Sequence, residues 1–305
     1  MVCIGDIHIS LKSNTLAFEQ TRLAQLAEHI LQNHPGKPIS ILGDTFDTNK
    51  PNLQEIKLFY DFIAPFSGTP ISIINGNHDA TVFLYLPHIG FTYYHTPTVV
   101  GDYVYIGHSS ISMIEMYKDR GLILMSHARC DLGFASSEID FDMVSKGFKY
   151  TVLGDIHHPV PGLPKNVTYT LEPTRNSYTK HKEKTTGYIV LEDGKFLREF
   201  PKIVHKDLVE FGSVEEFRKW RPVESNLYKV RITDKIENFP KYTRGEKYKM
   251  EFIPVISVVT ADKVTEELRN IVEQKVSISD VLMEFTWKQY EFSLETFNRI
   301  KRRLL

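Results

Sequence analysis

Five short apolar runs in the first half of the chain each lead into residues able to hold a cation or a proton. No other feature narrows the fold as much. The runs are Met1–Ile4, Ile39–Leu42, Ile71–Ile74, Leu122–Met125 and Tyr150–Leu153. After them come Gly5-Asp6-Ile7-His8, Gly43-Asp44, Gly76-Asn77-His78-Asp79, Ser126-His127 and Gly154-Asp155-Ile156-His157. Apolar runs of this length, bounded by glycine and polar residues, read as buried strands. Open α/β sheets place their chemistry at strand ends. Oxygen and imidazole donors converging from five strand ends therefore describe a binuclear metal site.

The segments between these runs have helical spacing. Phe18–Asn33 places Leu23, Leu26, Ala27, Ile30 and Leu31 on one face, and Pro35-Gly36 ends it. Leu53–Ala64 is expected to turn Ile56, Phe59, Tyr60 and Ile63 inward, and Pro65 and Gly68 close it. Alternation of strand and helix predicts βαβ units, a sheet covered by helices, and an α/β fold class.

The character changes after His157. Pro159, Pro161, Gly162 and Pro164 mark a loop. Asp193-Gly194 between Tyr188–Leu191 and Phe196–Phe200 is a hairpin signal. A smaller α+β capping domain is expected over 201–260, with strand Asp207–Phe211, helix Val214–Trp220, strand Leu227–Ile232 and a long strand Tyr248–Val259. Helices Lys263–Gln274, Ile278–Trp287 and Ser293–Leu305 then make a C-terminal helical region over 261–305. Residues 1–200 form the expected catalytic domain.

A net charge of −1 over 305 residues carries no global basic signal for nucleic acid, although a basic surface around an acidic site gives the same balance. Two cysteines, Cys3 and Cys130, supply no disulfide framework, which suits a reducing cytoplasm. The start of the chain runs straight into a strand with no signal-peptide pattern, and no apolar run reaches the ~18 residues of a membrane span.

Hard divalent cations take carboxylate, amide, imidazole and water ligands. Asp6 and His8 stand two apart, as do Asp155 and His157. One Asp-X-His at a strand end is as readily a turn as a ligand pair. Five such ends in one chain are not. Asn77 offers a carbonyl oxygen without added charge, and His127 and His157 offer imidazoles.

These motifs resemble the calcineurin-like metallophosphoesterase signature. Gly43-Asp44-Thr45-Phe46-Asp47, with Pro51 just beyond, is similar to the SbcD group, bacterial and phage relatives of the meiotic-recombination-eleven DNA repair nucleases. The resemblance covers residues 5 to 157 and implies a four-layer α/β sandwich with two manganese ions, or magnesium. It assigns Asp6, His8 and His157 to one ion, Asn77, His127 and the residue at 155 to the other, and Asp44 to both. His78 matches the family's catalytic histidine, with Asp79 to orient it and Asp47 facing the site from behind the ligands. One position departs from the pattern. Asp155 stands where the family usually has histidine, adding a third carboxylate to Asp6 and Asp44.

The implied activity is manganese-dependent exonuclease and endonuclease cleavage of DNA in repair, recombination or replication. The implied partner is an SbcC-type coiled-coil ATPase docked through the C-terminal helices, in a heterotetramer containing two copies of this chain, with no membrane. Two other functions use the same residues: a phosphodiesterase or phosphatase for a small molecule or protein, and a catalytically weak DNA-tethering subunit.

Overall fold

The computed structural model describes residues 1–131, 137–157, 159–174, 186–204, 206–220, 227–234 and 248–254. The expected helices over 261–305 lie outside them. Contacts divide the chain into two units, one built on Met1–Asp207 and the other beginning at Leu208.

In the first unit, β1 (Val2–Ile4), α1 (Leu16–Asn33), β2 (Ile39–Leu42), α2 (Leu53–Ile63), β3 (Ile71–Ile74) and β4 (Thr92–Tyr93) follow in order. Then come β5 (Thr98–Val100), β6 (Tyr103–Ile106), β7 (Ile123–His127), α3 (Phe141–Gly147), β8 (Tyr150–Gly154) and β9 (Val167–Tyr169). The hairpin β10 (Tyr188–Glu192) and β11 (Lys195–Glu199) completes the unit. One sheet has the order β11-β10-β1-β2-β3-β4 and the other β5-β6-β7-β8-β9. Strands β1 to β4 are parallel, as are β6 to β9.

Period-2 alternation, with apolar residues on both faces, explains the layers. In β1, Val2 and Ile4 pack with Leu23, Leu26 and Ile30 of α1 and with Leu58, Phe59 and Phe62 of α2. Cys3 points the other way, into a cluster with Leu42, Ile74 and Ile189 of its own sheet and Tyr105, Met125 and Val152 of the second. The far face of the second sheet buries Val104, Leu124 and Leu153 against Ile114 and Val144 of α3. The order is helix, sheet, sheet, helix: a four-layer α/β sandwich. Each wholly buried Leu or Ile in these layers contributes about 1.5–3 kcal/mol.

Local chemistry fixes the element ends. Thr15 caps α1 by accepting from the Phe18 N–H at 3.2 Å. Asn52 and Glu55 form a reciprocal capping box on α2. Asp193 and Gly194 both have positive φ, 49° and 71°, the geometry a two-residue hairpin turn requires. In α2 the inward face is Glu55, Leu58, Phe59, Phe62 and Ile63, while Ile56 and Tyr60 are only half-buried. The expected face is thus rotated. Apolar residues surround α2 on three sides, and Phe83 and Phe91 pack against Phe59, which selects the phase.

Strand β12 (Lys206–Phe211) leads into the second unit, where it forms a sheet of order β12-β13-β14 with β13 (Leu227–Asp234) and β14 (Tyr248–Pro254). Helix α4 (Val214–Lys219) is capped by Ser213, and Phe217 and Trp220 pack on Val230 and Ile232.

Candidate metal centre

Each residue singled out from the sequence lies at the carboxyl end of a parallel strand: Asp6 and His8 after β1, Asp44 after β2, Asn77 and His78 after β3, His127 closing β7, and Asp155 and His157 after β8. Four of them hold left-handed backbone, with φ of 56° at Asp6, 48° at His8, 48° at Asp44 and 87° at Asp155. Such conformations cost about 1–3 kcal/mol each in a non-glycine residue. Here they turn side chains of adjacent loops toward one point.

Backbone bonds hold the turns. The Asp6 N–H donates to the Gly43 carbonyl at 3.2 Å and the His8 N–H to the Asp44 carbonyl at 2.9 Å. Buried Arg22, on α1, donates to the carbonyls of Ile7 at 3.0 Å and His8 at 3.3 Å. It is paired with Glu19 at 2.6 Å and donates to Thr174 Oγ1 at 2.7 Å. Close approach between loops requires glycine at 76, where a Cβ would stand 2.0 Å from Asp44 Oδ1.

The donor atoms converge. His8 Nε2 and His157 Nε2 are 3.2 Å apart, and Asp6 Oδ1 lies 3.3 Å from the latter and 4.0 Å from the former. Asp44 Oδ2 is 3.7 Å from His8 Nε2 and 3.5 Å from His127 Nε2. Asn77 Oδ1 is 3.0 Å from His127 Nε2. Bond lengths of ~2.1 Å put neighbouring ligands of one ion about 3 Å apart and opposite ligands about 4.3 Å apart. Both ends of the cluster fit that spacing, with Asp44 Oδ2 between them. The His127 Nδ1–H donates to the Leu42 carbonyl at 2.8 Å, so its Nε2 turns a lone pair inward. Hard oxygens and imidazole nitrogens on left-handed turns make a donor set that fits divalent cations.

The electrostatics agree. Burial alone would raise Asp44, but His127 and His8 pull its carboxyl down to about 2. Burial alone would lower His127, yet Asp44 and Asp6 hold its imidazole up to about 10. His157 is raised to about 9, Asp6 overcoming the burial that opposes it. Without a cation, these carboxylates keep protons on the imidazoles. A cation would take over that role.

One sequence expectation changes. Asp79 does not orient His78. It is wholly buried, and its carboxylate accepts from the backbone N–H groups of Thr45 at 2.7 Å, Gly76 at 2.8 Å and Phe46 at 3.3 Å, tying the β2 and β3 loops together. Burial first, and Asp44 second, raise it to about 6. The carboxylate beside the His78 ring is Asp47, with Oδ1 3.6 Å from His78 Nδ1 and 3.4 Å from His8 Nδ1. His78 Nε2 lies 4.0 Å from Asp44 Oδ2, and the side chain is 42% exposed. Asp155 has a partner that sequence reasoning did not name. Arg129 grips its carboxylate with Nε at 2.5 Å and Nη2 at 3.1 Å, while Asp155 Oδ1 stands 3.8 Å from His127 Nε2.

Sequence reasoning missed Arg22, Glu19 and Arg129. The signal for the first two was an i,i+3 charge pair on an apolar helix face. For Arg129 it was the extra carboxylate of Asp155, a charge in need of balance where the family usually has histidine.

Residues 1–159 match the family described as Calcineurin-like phosphoesterase. An 87-residue stretch is 33% identical to the DNA double-strand break repair protein Mre11 of Nanoarchaeum equitans (strain Kin4-M), covering 27% of this chain and 24% of that protein. The chain thus spans about a quarter of that relative's length. No helix among the described residues is long and apolar enough to cross a membrane. The family match covers just over half of the 305 residues and contains every residue of the centre. The chain therefore belongs to the calcineurin-like phosphoesterase family.

Proposed function

We propose that this chain is a metal-dependent phosphoesterase, and within that class a DNA nuclease working with two divalent cations, manganese before magnesium. Asp6, His8 and His157 would hold one, Asn77, His127 and Asp155 would hold the other, and Asp44 would serve both. The observation that carries the substrate class is the 33% identity to a DNA double-strand break repair protein. Bound cations would supply Lewis acidity toward phosphate oxygens and a more acidic water.

The chain's own residues supply the rest. His78 and His157, each 42% exposed, form the open edge of the centre. His78 Nδ1 faces Asp47, both its carboxylate and, at 3.4 Å, its carbonyl oxygen. That fixes the ring with Nε2 toward the centre, where it would exchange a proton with a phosphate or leaving-group oxygen. Help of this kind is worth ~10²–10⁴-fold in rate. In this proposal residues 1–200 form the nuclease domain, 201–260 cap it and position DNA, and 261–305 dock an SbcC-type ATPase, with two copies of the chain in the assembly.

The test is hydrolysis of end-labelled duplex and hairpin DNA, a small aryl phosphodiester and an aryl phosphomonoester, with manganese, for the wild type and His78→Ala. Manganese-dependent DNA cleavage that falls at least a hundredfold in His78→Ala, with ion binding retained, supports the proposal. Turnover of the small esters with DNA untouched overturns the nuclease assignment.

A further inference from the structure

The His127 end of the centre carries a guanidinium directly on a proposed ligand carboxylate, and among the described residues the Asp6 end does not. Arg129 lies two residues beyond His127, and its guanidinium spans both oxygens of Asp155. Asp155 is almost buried, 7% exposed, and its backbone is left-handed at φ 87°. Its N–H is fixed too, donating to both oxygens of Asp6 at 3.1 Å. Arg129 is itself anchored through its backbone N–H, which donates to Glu138 Oε2 at 3.0 Å. The carboxylate is therefore held with Oδ2 accepting from Arg129 Nε and Oδ1 accepting from Arg129 Nη2 while it faces His127 Nε2 at 3.8 Å. At the opposite end, Asp6 Oδ1 meets His157 and His8, and no guanidinium of the described residues bonds it.

We propose that Arg129 is a positioning and charge-balancing residue that makes the two cation positions unequal. It aims one oxygen of Asp155 at the His127 end and cancels that residue's negative charge. The Asp6, His8 and His157 end then fills first, and the His127 end fills only at higher cation concentration. This inference rests on the two-cation proposal above. Its consequence is that occupancy of the second position, and with it the two-ion state, follows the free cation level.

The experiment is calorimetric titration of Mn2+ into metal-free protein, with electron paramagnetic resonance to detect spin coupling between paired ions. The proteins are wild type, Arg129→Gln and Arg129→Lys, each checked for an unchanged melting temperature in EDTA. The wild type should bind in a tight step and a weaker one. Arg129→Gln keeps a donor for Asp155 but loses the charge. Its weaker step should tighten by about tenfold or more, as expected for removing a unit charge a few ångströms away, with the tight step unchanged. Arg129→Lys keeps the charge and should retain the wild-type inequality. A wild type that takes one ion where Arg129→Gln takes two is the limiting form of the same result. Two equal steps in the wild type, a weaker step unmoved in Arg129→Gln, or Arg129→Lys behaving like Arg129→Gln each overturn the proposal and leave the two-cation centre standing. One ion in every variant overturns the two-cation centre itself.

Discussion

Arg22→Met should unfold this protein early and loosen its first cation position. Methionine fills similar space and offers no donor. Glu19, wholly buried, would lose a partner at 2.6 Å while keeping its bond from Asn14. Removing one partner of a buried ion pair costs about 3–5 kcal/mol. With about 2–4 °C of melting temperature per kcal/mol in a unit of this size, the expected drop is roughly 10 °C. Adding Glu19→Gln removes the stranded charge and should recover about half. The rest persists because the carbonyls of Ile7 and His8 still lack their donor, at about 1–3 kcal/mol each. Those carbonyls belong to the left-handed turn, so Mn2+ affinity at the Asp6 end should fall by about tenfold, which corresponds to one such hydrogen bond. Circular dichroism melts in EDTA and calorimetric titration at 15 °C separate the two effects. A melting temperature for Arg22→Met within about 3 °C of wild type would refute the assignment of Arg22 as the brace of the turn.

Protons should leave as cations enter, because His127 and His157 titrate near about 10 and about 9 in the metal-free centre. Their raised values stabilise the metal-free fold fully below pH 6.5, and that contribution is lost as pH climbs through 9 and 10. Between pH 6.5 and 8 the EDTA-treated protein should therefore melt progressively lower while Mn2+ affinity rises, with proton release visible as buffer-dependent calorimetric heats. Gly76→Ala drives a Cβ to 2.0 Å from Asp44 Oδ1, and should destabilise the fold by about 1–3 kcal/mol and abolish binding of both ions; unchanged stoichiometry would contradict the close approach. Asp79→Asn has one acceptor oxygen for three backbone N–H groups. It should lower the melting temperature without changing the pH dependence of hydrolysis, whereas a shifted pH profile would show that Asp79 does act on His78.

The strands and the residues at their ends were legible because both signals are local. A short apolar run and the polar residue that stops it lie within ten positions. Asp193-Gly194 was legible for the same reason, since only residues tolerant of positive φ make that turn. The phase of α2 was not, because Ile56, Leu58, Phe59, Tyr60, Phe62 and Ile63 leave several faces apolar and the choice falls to Phe83 and Phe91, more than twenty residues away. Asp79 was misjudged through its neighbour in sequence. Its true partners, Thr45 and Phe46, arrive by the parallel pairing of β2 with β3. Arg22 and Arg129 serve groups that only the folded chain brings near them, so their charges looked like ordinary surface ones.

The centre straddles two sheets: Asp6, His8, Asp44 and Asn77 follow strands of one, while His127, Asp155 and His157 come from the other. His8 and His157, whose ring nitrogens nearly touch, are 149 residues apart in the chain. A partly made or partly folded chain with only its first sheet assembled would own four donors and no closed cage. In the two-cation proposal, neither position is complete until β8 docks. The proposed hydrolytic capacity would thereby be withheld from every shorter intermediate, and a cation that enters the finished centre would rivet the two sheets together, adding stability that grows with its concentration.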